Sequence, residues 1–366
     1  MRILYLTSCM EIGGTELYTL DYAKCMQNCG HKVYWGSVKE GKMHEIAKNN
    51  GINLLHCTFE KRTPVKMLKA INTIKRIVKN ESIDLIHATD AYTAMLAALA
   101  FKRKNIKPKI VWSNVGIGSK TYAIMLKLCG NSFDTIIAVS HFIRNRMIEE
   151  GFDPNKIQVY SQSRKMLDSD IGRAAVRKEF GLSKDDVVIG TVGRVVRLKG
   201  NMTLVEAMPK ILRTCPYAKL MIVGDGPQRK ELEEKCDTLG IRDNVVFAGF
   251  RTDIENMYEA FDIVAFPTYY EALGYIPYEA FYYRKPLIAS LTGGIPELVI
   301  NEYNGLVVPP AMVDEWANGI LRLINDTALS CKLADNGKKY YDTYLKRDDE
   351  SAILEKLYFK LFSEDI

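Results

Sequence analysis

Short apolar segments alternate with amphipathic segments along almost the whole chain, and this pattern restricts the fold more than any other feature. The first series runs from an expected strand at residues 2–7 to an expected helix at residues 142–150. A second series begins with an apolar strand at Val187–Val192, after a polar stretch at residues 151–186. Alternation on this scale indicates βαβ units that form a parallel sheet.

The length of the chain favours two domains of this kind. With 366 residues it is too long for one compact core. We place the boundary in the polar stretch, so that the first domain covers residues 1–165 and the second covers residues 166–350. A last amphipathic helix is expected at residues 351–366.

The most informative segment is residues 266–297, which contains two carboxylates eight positions apart, Glu271 and Glu279. Between them stand Gly274 and Pro277. Because proline is tolerated only in the first turn of a helix, a helix should begin near Pro277. Glu271 then lies on the preceding loop and Glu279 on the first turns. Carboxylates bind hydroxyls, while a glycine and the amides of a helix start receive phosphate, and a nucleotide sugar has both kinds of group.

The order P-T-x-x-E-A-L-G-x-x-x-x-E-A, followed by K-P-L-I-A and T-G-G-I-P-E, resembles the retaining GT-B glycosyltransferases of family 4. The resemblance extends over nearly the whole chain and is stronger in its C-terminal half. It implies an α/β architecture in which two Rossmann-like domains with parallel sheets face each other across a cleft. It also implies that the helix at residues 351–366 packs back on the N-terminal, acceptor-side domain, and that the C-terminal domain binds the nucleotide sugar.

The same resemblance implies a donor site built from several loops. Glu279 would bind ribose hydroxyls, and Glu271 would bind hydroxyls of the sugar. Residues 193–200 resemble the family's G-R-x-x-x-x-K-G segment, in which Arg194 and Lys199 would stabilise the charge of the leaving diphosphate. The alternative for this segment is a solvated basic loop. Glu271, Arg194 and Lys199 are the catalytic candidates. The other donor-binding candidates are Gly14, Gly193, Arg251, Leu273, Gly274 and Gly293.

Candidates for the acceptor side come from the first half of the chain. They are Gly13, Glu16, Asn114 and Ser140. One departure concerns Val115, because the family often carries a histidine there, near the transferred sugar. Asn114 or a backbone carbonyl would have to substitute. His87 follows an apolar strand, and we favour its interpretation as a core residue over a catalytic one.

The leading hypothesis is a retaining glycosyltransferase that uses a nucleotide sugar, most often a UDP-sugar in this family. Its acceptor would be a glycan or a lipid-linked glycan of bacterial surface-polysaccharide synthesis. Val115 leaves an alternative open, a nucleotide-sugar-binding subunit that has lost catalysis and serves a partner. A dehydrogenase is disfavoured because Gly13-Gly14 is not the G-x-G-x-x-G fingerprint.

We expect no cofactor beyond the nucleotide-sugar co-substrate, and no metal. The eight cysteines include no C-x-x-C pair, and no histidine pattern completes a metal site. Asp168-Ser169-Asp170 has the form of a metal-binding D-x-D, but it lies near the expected linker and is interpreted as solvated or capping. Reduced thiols are the default in a cytoplasmic protein, which is the expected location.

Charge is divided unevenly along the chain. Residues 1–165 have 25 Lys and Arg against 13 Asp and Glu, a net charge of +12, and residues 166–366 have 25 against 31, a net charge of −6. A basic half indicates an anionic partner. Nucleic acid is disfavoured because no recognised nucleic-acid motif accompanies the charge. An anionic membrane surface or a lipid-phosphate acceptor is the better candidate.

Two basic clusters contribute to the positive charge of the first half of the chain. One consists of Lys66, Lys69, Lys75, Arg76 and Lys79, on the helix expected at residues 64–80. The inward positions of this helix are expected to be Val65, Leu68, Ile71, Ile74, Ile77 and Val78. The other is Lys102-Arg103-Lys104 with Lys107 and Lys109. No apolar run approaches the ~20 residues that a membrane span needs. We therefore expect peripheral association with the inner face of a membrane; a solvated charged face is the alternative.

Overall fold

The computed structural model describes residues 1–11, 13–39, 41–59, 63–101, 108–116, 126, 129–161, 166–346 and 350–363. Contacts divide the chain into two units, Met1–Gln162 with Arg347–Ile366, and Ser163–Lys346. The division falls close to the expected boundary after residue 165, and the returning segment begins at 347 rather than 351. The second basic cluster, apart from Lys109, lies outside the described residues.

Each unit is built on one parallel sheet, which confirms the predicted α/β class with two Rossmann-like domains. The first sheet has the strand order β3-β2-β1-β4-β5-β6-β7, and the second has the order β10-β9-β8-β11-β12-β13. The strands of the first sheet are β1 (Arg2–Leu6), β2 (Lys32–Ser37), β3 (Asn53–His56), β4 (Leu85–Ala88), β5 (Lys109–Asn114), β6 (Thr135–Ala138) and β7 (Ile157–Val159). Those of the second are β8 (Val187–Val192), β9 (Ala218–Val223), β10 (Val245–Gly249), β11 (Ile263–Phe266), β12 (Leu287–Ser290) and β13 (Leu306–Val308).

Helices connect the strands in both units. In the first half of the chain they are α1 (Gly14–Asn28), α2 (Met43–Asn49), α3 (Pro64–Glu81), α4 (Ala91–Ala100) and α5 (His141–Glu149). In the second unit they are α6 (Arg173–Glu179), α7 (Asn201–Thr214), α8 (Arg229–Leu239), α9 (Ile254–Ala260), α10 (Ile276–Tyr282), α11 (Val313–Asn325) and α12 (Thr327–Tyr340). The last helix, α13 (Glu350–Ser363), packs against α1 of the first unit.

Several elements differ from the sequence-based expectation. The sequence also favours a helix at residues 296–300, but the structure has only a short 3-10 turn there, Ile295–Glu297. Strand β7 was not predicted because three residues are too few for a period to be recognised. Helix α12 was not predicted because few of its side chains are buried, so its apolar period is weak. The sequence also favours a helix at residues 121–128, which, apart from Leu126, lie outside the described residues.

The orientation of α3 corrects one prediction. Its buried side chains include Ile74 and Ile77, but Val65 is 76% exposed and Leu68 is 63% exposed. The reason is geometric. At 100° per residue, Val65 and Ile74 are nine residues and 900° apart, which places them on opposite faces of the helix. The outer face of α3 therefore combines two apolar side chains with cations.

A buried network of hydrogen bonds connects α13 to the first sheet. The Tyr358 hydroxyl lies 2.5 Å from His87 Nδ1 and 3.0 Å from the Tyr5 hydroxyl, and His87 Nε2 lies 2.6 Å from Ser113 Oγ. All four side chains are fully buried. Desolvation lowers the pKa of His87 to about 3. His87 is thus a neutral core residue, as its position after an apolar strand indicated.

This burial predicts a pH dependence of stability. In the unfolded chain the pKa of His87 returns to 6.5, so below that pH the unfolded state binds a proton that the folded state excludes. The contribution of His87 is complete above pH 6.5 and falls by about 1.4 kcal/mol per pH unit as the pH drops towards 3. Between pH 6.5 and pH 5 the wild type should therefore lose roughly 2 kcal/mol more unfolding free energy than His87→Asn.

Urea titrations at several pH values measure this difference, with tryptophan fluorescence as the signal because Trp35 and Trp112 lie in the first unit. His56 is exposed, so His56→Asn serves as the control and should keep the wild-type pH slope. A wild-type slope in His87→Asn would contradict the prediction.

Candidate functional site

Two loops of the second unit bring Lys199 and Glu271 together. Lys199 ends the 3-10 turn Arg197–Lys199 that follows β8, and Glu271 lies on the loop between β11 and α10. Lys199 Nζ is 2.5 Å from Glu271 Oε2 and 5.9 Å from the centre of the Phe266 ring. The side chains are 25% and 18% exposed, so the pair is partly shielded from water yet open to a ligand. The structure thus brings two of the three catalytic candidates into contact.

Backbone hydrogen bonds tie these two loops to each other. The Leu198 carbonyl accepts from the Tyr269 amide at 2.8 Å and from the Thr268 hydroxyl at 3.1 Å. The residues on either side of the ion pair are therefore fixed independently of the charged side chains. Changes to Lys199 or Glu271 should leave the loop backbones in place.

Gly293 holds the Glu271 loop from the opposite side. Its φ is +58°, and a Cβ there would lie 1.8 Å from the Glu271 carbonyl oxygen. The amide of the next residue, Gly294, donates to the same oxygen at 3.1 Å. Only glycine permits both this conformation and this close approach. This backbone geometry requires glycine at position 293, and the predicted role of Gly293 in donor binding stays a prediction.

Glu279 lies on α10, which begins at Ile276 with Pro277 in its first turn, so the predicted helix start is confirmed. The carboxylate is 6% exposed, and its Oε2 accepts from the Tyr258 hydroxyl at 2.7 Å. Tyr258 stacks on Tyr283 with ring centres 4.8 Å apart. Sequence reasoning missed Tyr258, because a tyrosine on the inner face of a helix is typical of a core and only the fold places its hydroxyl beside Glu279.

Arg194 borders the recess in which Lys199 lies. The recess at the end of β8 is lined by Gly193, Arg194, Lys199 and Phe266, among other residues. Arg194 is exposed, and its side chain makes no hydrogen bond or ion pair with the residues that the structure describes. A guanidinium in this position is available to an anionic ligand.

Arg251, which is predicted to bind the donor, has several partners within the protein. Its guanidinium donates to both carboxylate oxygens of Asp253, at 2.8 and 2.7 Å, and to Glu179 at 2.7 Å. It also lies 5.6 Å from the centre of the Phe180 ring. The hydrogen bonds to Asp253 are the main cause of a raised Arg251 pKa. These contacts hold the guanidinium in place, and donor binding by Arg251 stays a prediction.

The remaining donor candidates are mostly backbone positions. Gly193 and Gly274 have positive φ angles of +141° and +81°, which favour glycine. Leu273 is 8% exposed beside Gly274. Gly14 belongs to the first unit, where it begins α1.

The acceptor-side candidates lie at the start of α1, at the end of β5 and at the start of α5, all in the first unit. Gly13 caps α1, and Glu16 lies in its first turn, 9% exposed. Asn114 Oδ1 accepts from the Gly116 amide at 3.2 Å, and Val115 between them is half-buried. Ser140 Oγ accepts from the Ile143 amide at 3.2 Å and caps α5, so its hydroxyl already has a structural role.

The described residues offer neither a metal-binding cluster nor a membrane-spanning helix. Among those residues, no group of three or more His, Cys, Asp or Glu side chains could hold a metal ion. Asp168 of the D-x-D sequence accepts from the Tyr282 hydroxyl at 2.6 Å. Throughout the residues that the structure describes, no helix is both long enough and apolar enough to span a bilayer.

Two family models match the chain. The model described as Glycosyltransferase Family 4 matches residues 12–161, and the model described as Glycosyl transferases group 1 matches residues 172–340. Each match lies entirely within one of the two units.

The chain is also similar to known proteins, both in sequence and in structure. The uncharacterized glycosyltransferase MJ1607 of Methanocaldococcus jannaschii is 37% identical over 172 residues, which are 46% of this chain and 43% of that protein. The alpha-D-kanosaminyltransferase of Streptomyces kanamyceticus is 33% identical over 174 residues, 47% of this chain and 45% of that protein. The chain thus spans less than half the length of these relatives. A crystal structure of Anabaena Alr3699/HepE with UDP and glucose has a TM-score of 0.84 and 25% identity, and the match covers 98% of this chain and 99% of that one.

Proposed function

Because the chain belongs to the family 4 glycosyltransferases of the GT-B fold, we propose that it transfers a sugar from a UDP-sugar to a glycan or lipid-linked acceptor, with retention of anomeric configuration. The observation that carries the proposal is the Lys199–Glu271 pair beside Arg194. Two cations suit a diphosphate, and a carboxylate between the loops suits sugar hydroxyls. Binding of UDP and glucose by the Anabaena protein supports UDP as the nucleotide.

The proposed step exchanges one bond for another at the anomeric carbon. The acceptor oxygen forms its bond to this carbon as the bond from the carbon to the diphosphate oxygen breaks on the same face. The acceptor proton passes to the departing phosphate, and the nucleoside diphosphate leaves. Negative charge grows on the phosphate during this step, and Arg194 and Lys199 are placed to stabilise it. No metal enters the proposed step.

The outer face of α3 supports a membrane-associated acceptor. It presents the exposed side chains Val65, Leu68, Lys69, Asn72, Lys75, Arg76 and Lys79. These positions share one side of the helix, with the apolar pair at its N-terminal end. A surface of this composition fits an anionic bilayer, in which apolar side chains insert and cations meet headgroups. We propose peripheral association with the cytoplasmic face of a membrane and a lipid-linked glycan acceptor of surface-polysaccharide synthesis.

A thermal-shift panel of UDP- and GDP-sugars tests the donor proposal. A ligand that binds only the folded state raises the apparent stability by about 2.7 kcal/mol at a hundredfold excess over its Kd. At least one UDP-sugar should raise Tm more than every GDP-sugar. Incubation of the purified chain with that donor distinguishes an enzyme from an inactive binding subunit, because an enzyme should slowly release UDP. Binding without any release of UDP would favour the inactive subunit.

Glu279→Ala should weaken donor binding roughly ten- to hundredfold, because a hydrogen bond to a charged group is worth about 1.5–3 kcal/mol. Calorimetric titration with the selected UDP-sugar measures the change. The control is Glu315→Ala, which removes an exposed carboxylate from the first turn of α11 in the same unit and should bind like the wild type. Wild-type affinity in Glu279→Ala would remove Glu279 from the donor site.

A further inference from the structure

In the described structure the two groups that should receive opposite parts of the donor bind each other instead. Lys199 Nζ and Glu271 Oε2 are 2.5 Å apart. Within the described residues, neither charged group has another hydrogen-bonding partner. The pair spans 72 positions of sequence and joins two loops whose backbones are held by other contacts. Each side chain is therefore satisfied in the free protein, and a ligand must compete with the ion pair.

We propose that this ion pair makes the site discriminate between an intact nucleotide sugar and the nucleoside diphosphate that remains after transfer. The inference rests on the proposed function. A bare diphosphate can take Lys199 only by separating it from Glu271. The carboxylate then lies beside a phosphate of like charge, and no ligand hydroxyl replaces its partner. An intact donor provides both replacements, a phosphate for Lys199 and sugar hydroxyls for Glu271.

The return of Lys199 to Glu271 after transfer also favours product release. When the sugar has passed to the acceptor, the Glu271 carboxylate loses its hydroxyl partners. It then recaptures the Lys199 ammonium, and the diphosphate loses one of its two cations. Arg194 is exposed and outside the pair, so it attracts phosphate in both states. In this arrangement Glu271 weakens product binding while it strengthens donor binding.

The test is the affinity for UDP and GDP, measured by calorimetry on four proteins: wild type, Glu271→Gln, Lys199→Ala and the double variant. Glutamine keeps the shape of glutamate but cannot hold the ammonium as an ion pair. Glu271→Gln should therefore bind UDP more tightly than the wild type, by roughly three- to tenfold for a partly exposed pair. In the Lys199→Ala background the same substitution should give no gain, since no ammonium is released.

The matched control is Glu315→Gln, an equal loss of charge at an exposed position of the same unit, which should leave the UDP affinity unchanged. Equal or weaker UDP binding by Glu271→Gln overturns the inference, and so does an equal gain with and without Lys199. Both of these outcomes leave the proposed function standing, since they require UDP to bind. If neither UDP nor GDP binds any of the four proteins, the proposed function fails and the inference fails with it.

Discussion

Lys199→Ala and Arg194→Ala should each lower the turnover number by about two to three orders of magnitude at saturating donor. Both cations border the same recess at the end of β8. The charge on the leaving diphosphate is complete only as the bond breaks, so a lost cation costs more in the transition state than in the bound donor. The measurement is UDP release during transfer, at donor concentrations raised until the rate no longer increases.

Arg197→Ala is the control for this pair. Arg197 stands between the other two cations in sequence, is 80% exposed and pairs with Glu231 at 3.3 Å. Its removal changes the net charge equally but should leave turnover close to the wild-type value. Unchanged circular dichroism and unfolding midpoints in all three variants would exclude misfolding. Wild-type turnover in either Lys199→Ala or Arg194→Ala would show that the two cations do not both stabilise the leaving diphosphate.

Replacement of the four exposed cations of the α3 outer face with glutamine should abolish binding to anionic vesicles. The four are Lys69, Lys75, Arg76 and Lys79. At about 1 kcal/mol for each basic residue near an anionic surface, their loss amounts to roughly 4 kcal/mol, close to a thousandfold in affinity. Val65→Ser with Leu68→Ser should weaken the binding further at high salt, where the apolar contribution remains.

Co-sedimentation with anionic and with neutral liposomes, at low and at high salt, measures this association. The wild type should sediment most completely with anionic liposomes at low salt. A second quadruple variant provides an equal change of charge on the other unit, at the exposed residues Lys178, Lys184, Arg213 and Lys230. It should sediment like the wild type. Equal recovery of the wild type in the supernatant under all four conditions would make a soluble acceptor the better account.

Local rules predicted the parts of the fold and site that depend on neighbours in sequence. The alternating pattern gave the two parallel sheets, and Pro277 gave the start of α10 and hence the placement of Glu279. The outward direction of Val65 and Leu68 was also accessible, because the helical angle from Ile74 decides it. Counting apolar residues along α3 without that angle assigned Val65 and Leu68 to the wrong face, while Ile74, Ile77 and Val78 are buried as predicted.

Other features depend on contacts between distant segments, which no local pattern contains. Lys199 and Glu271 meet across 72 positions, and Tyr258 reaches Glu279 only when α9 and α10 pack together. Arg251 follows a strand and is predicted to bind the donor, and the fold also places the carboxylate of Glu179 beside it. In each case the residue types were informative, while the partner was set by tertiary packing.

The hydroxyl of Tyr358 has a consequence for the order of events during synthesis. It completes a hydrogen-bond network around His87, yet the ribosome reaches it only after the whole second unit has been made. Domains generally fold as units during synthesis, N-terminal first. Here the rest of the first unit emerges before α13, so His87 Nδ1 lacks its Tyr358 partner until the second unit has been made. The first unit therefore completes its folding last, when α13 packs against α1.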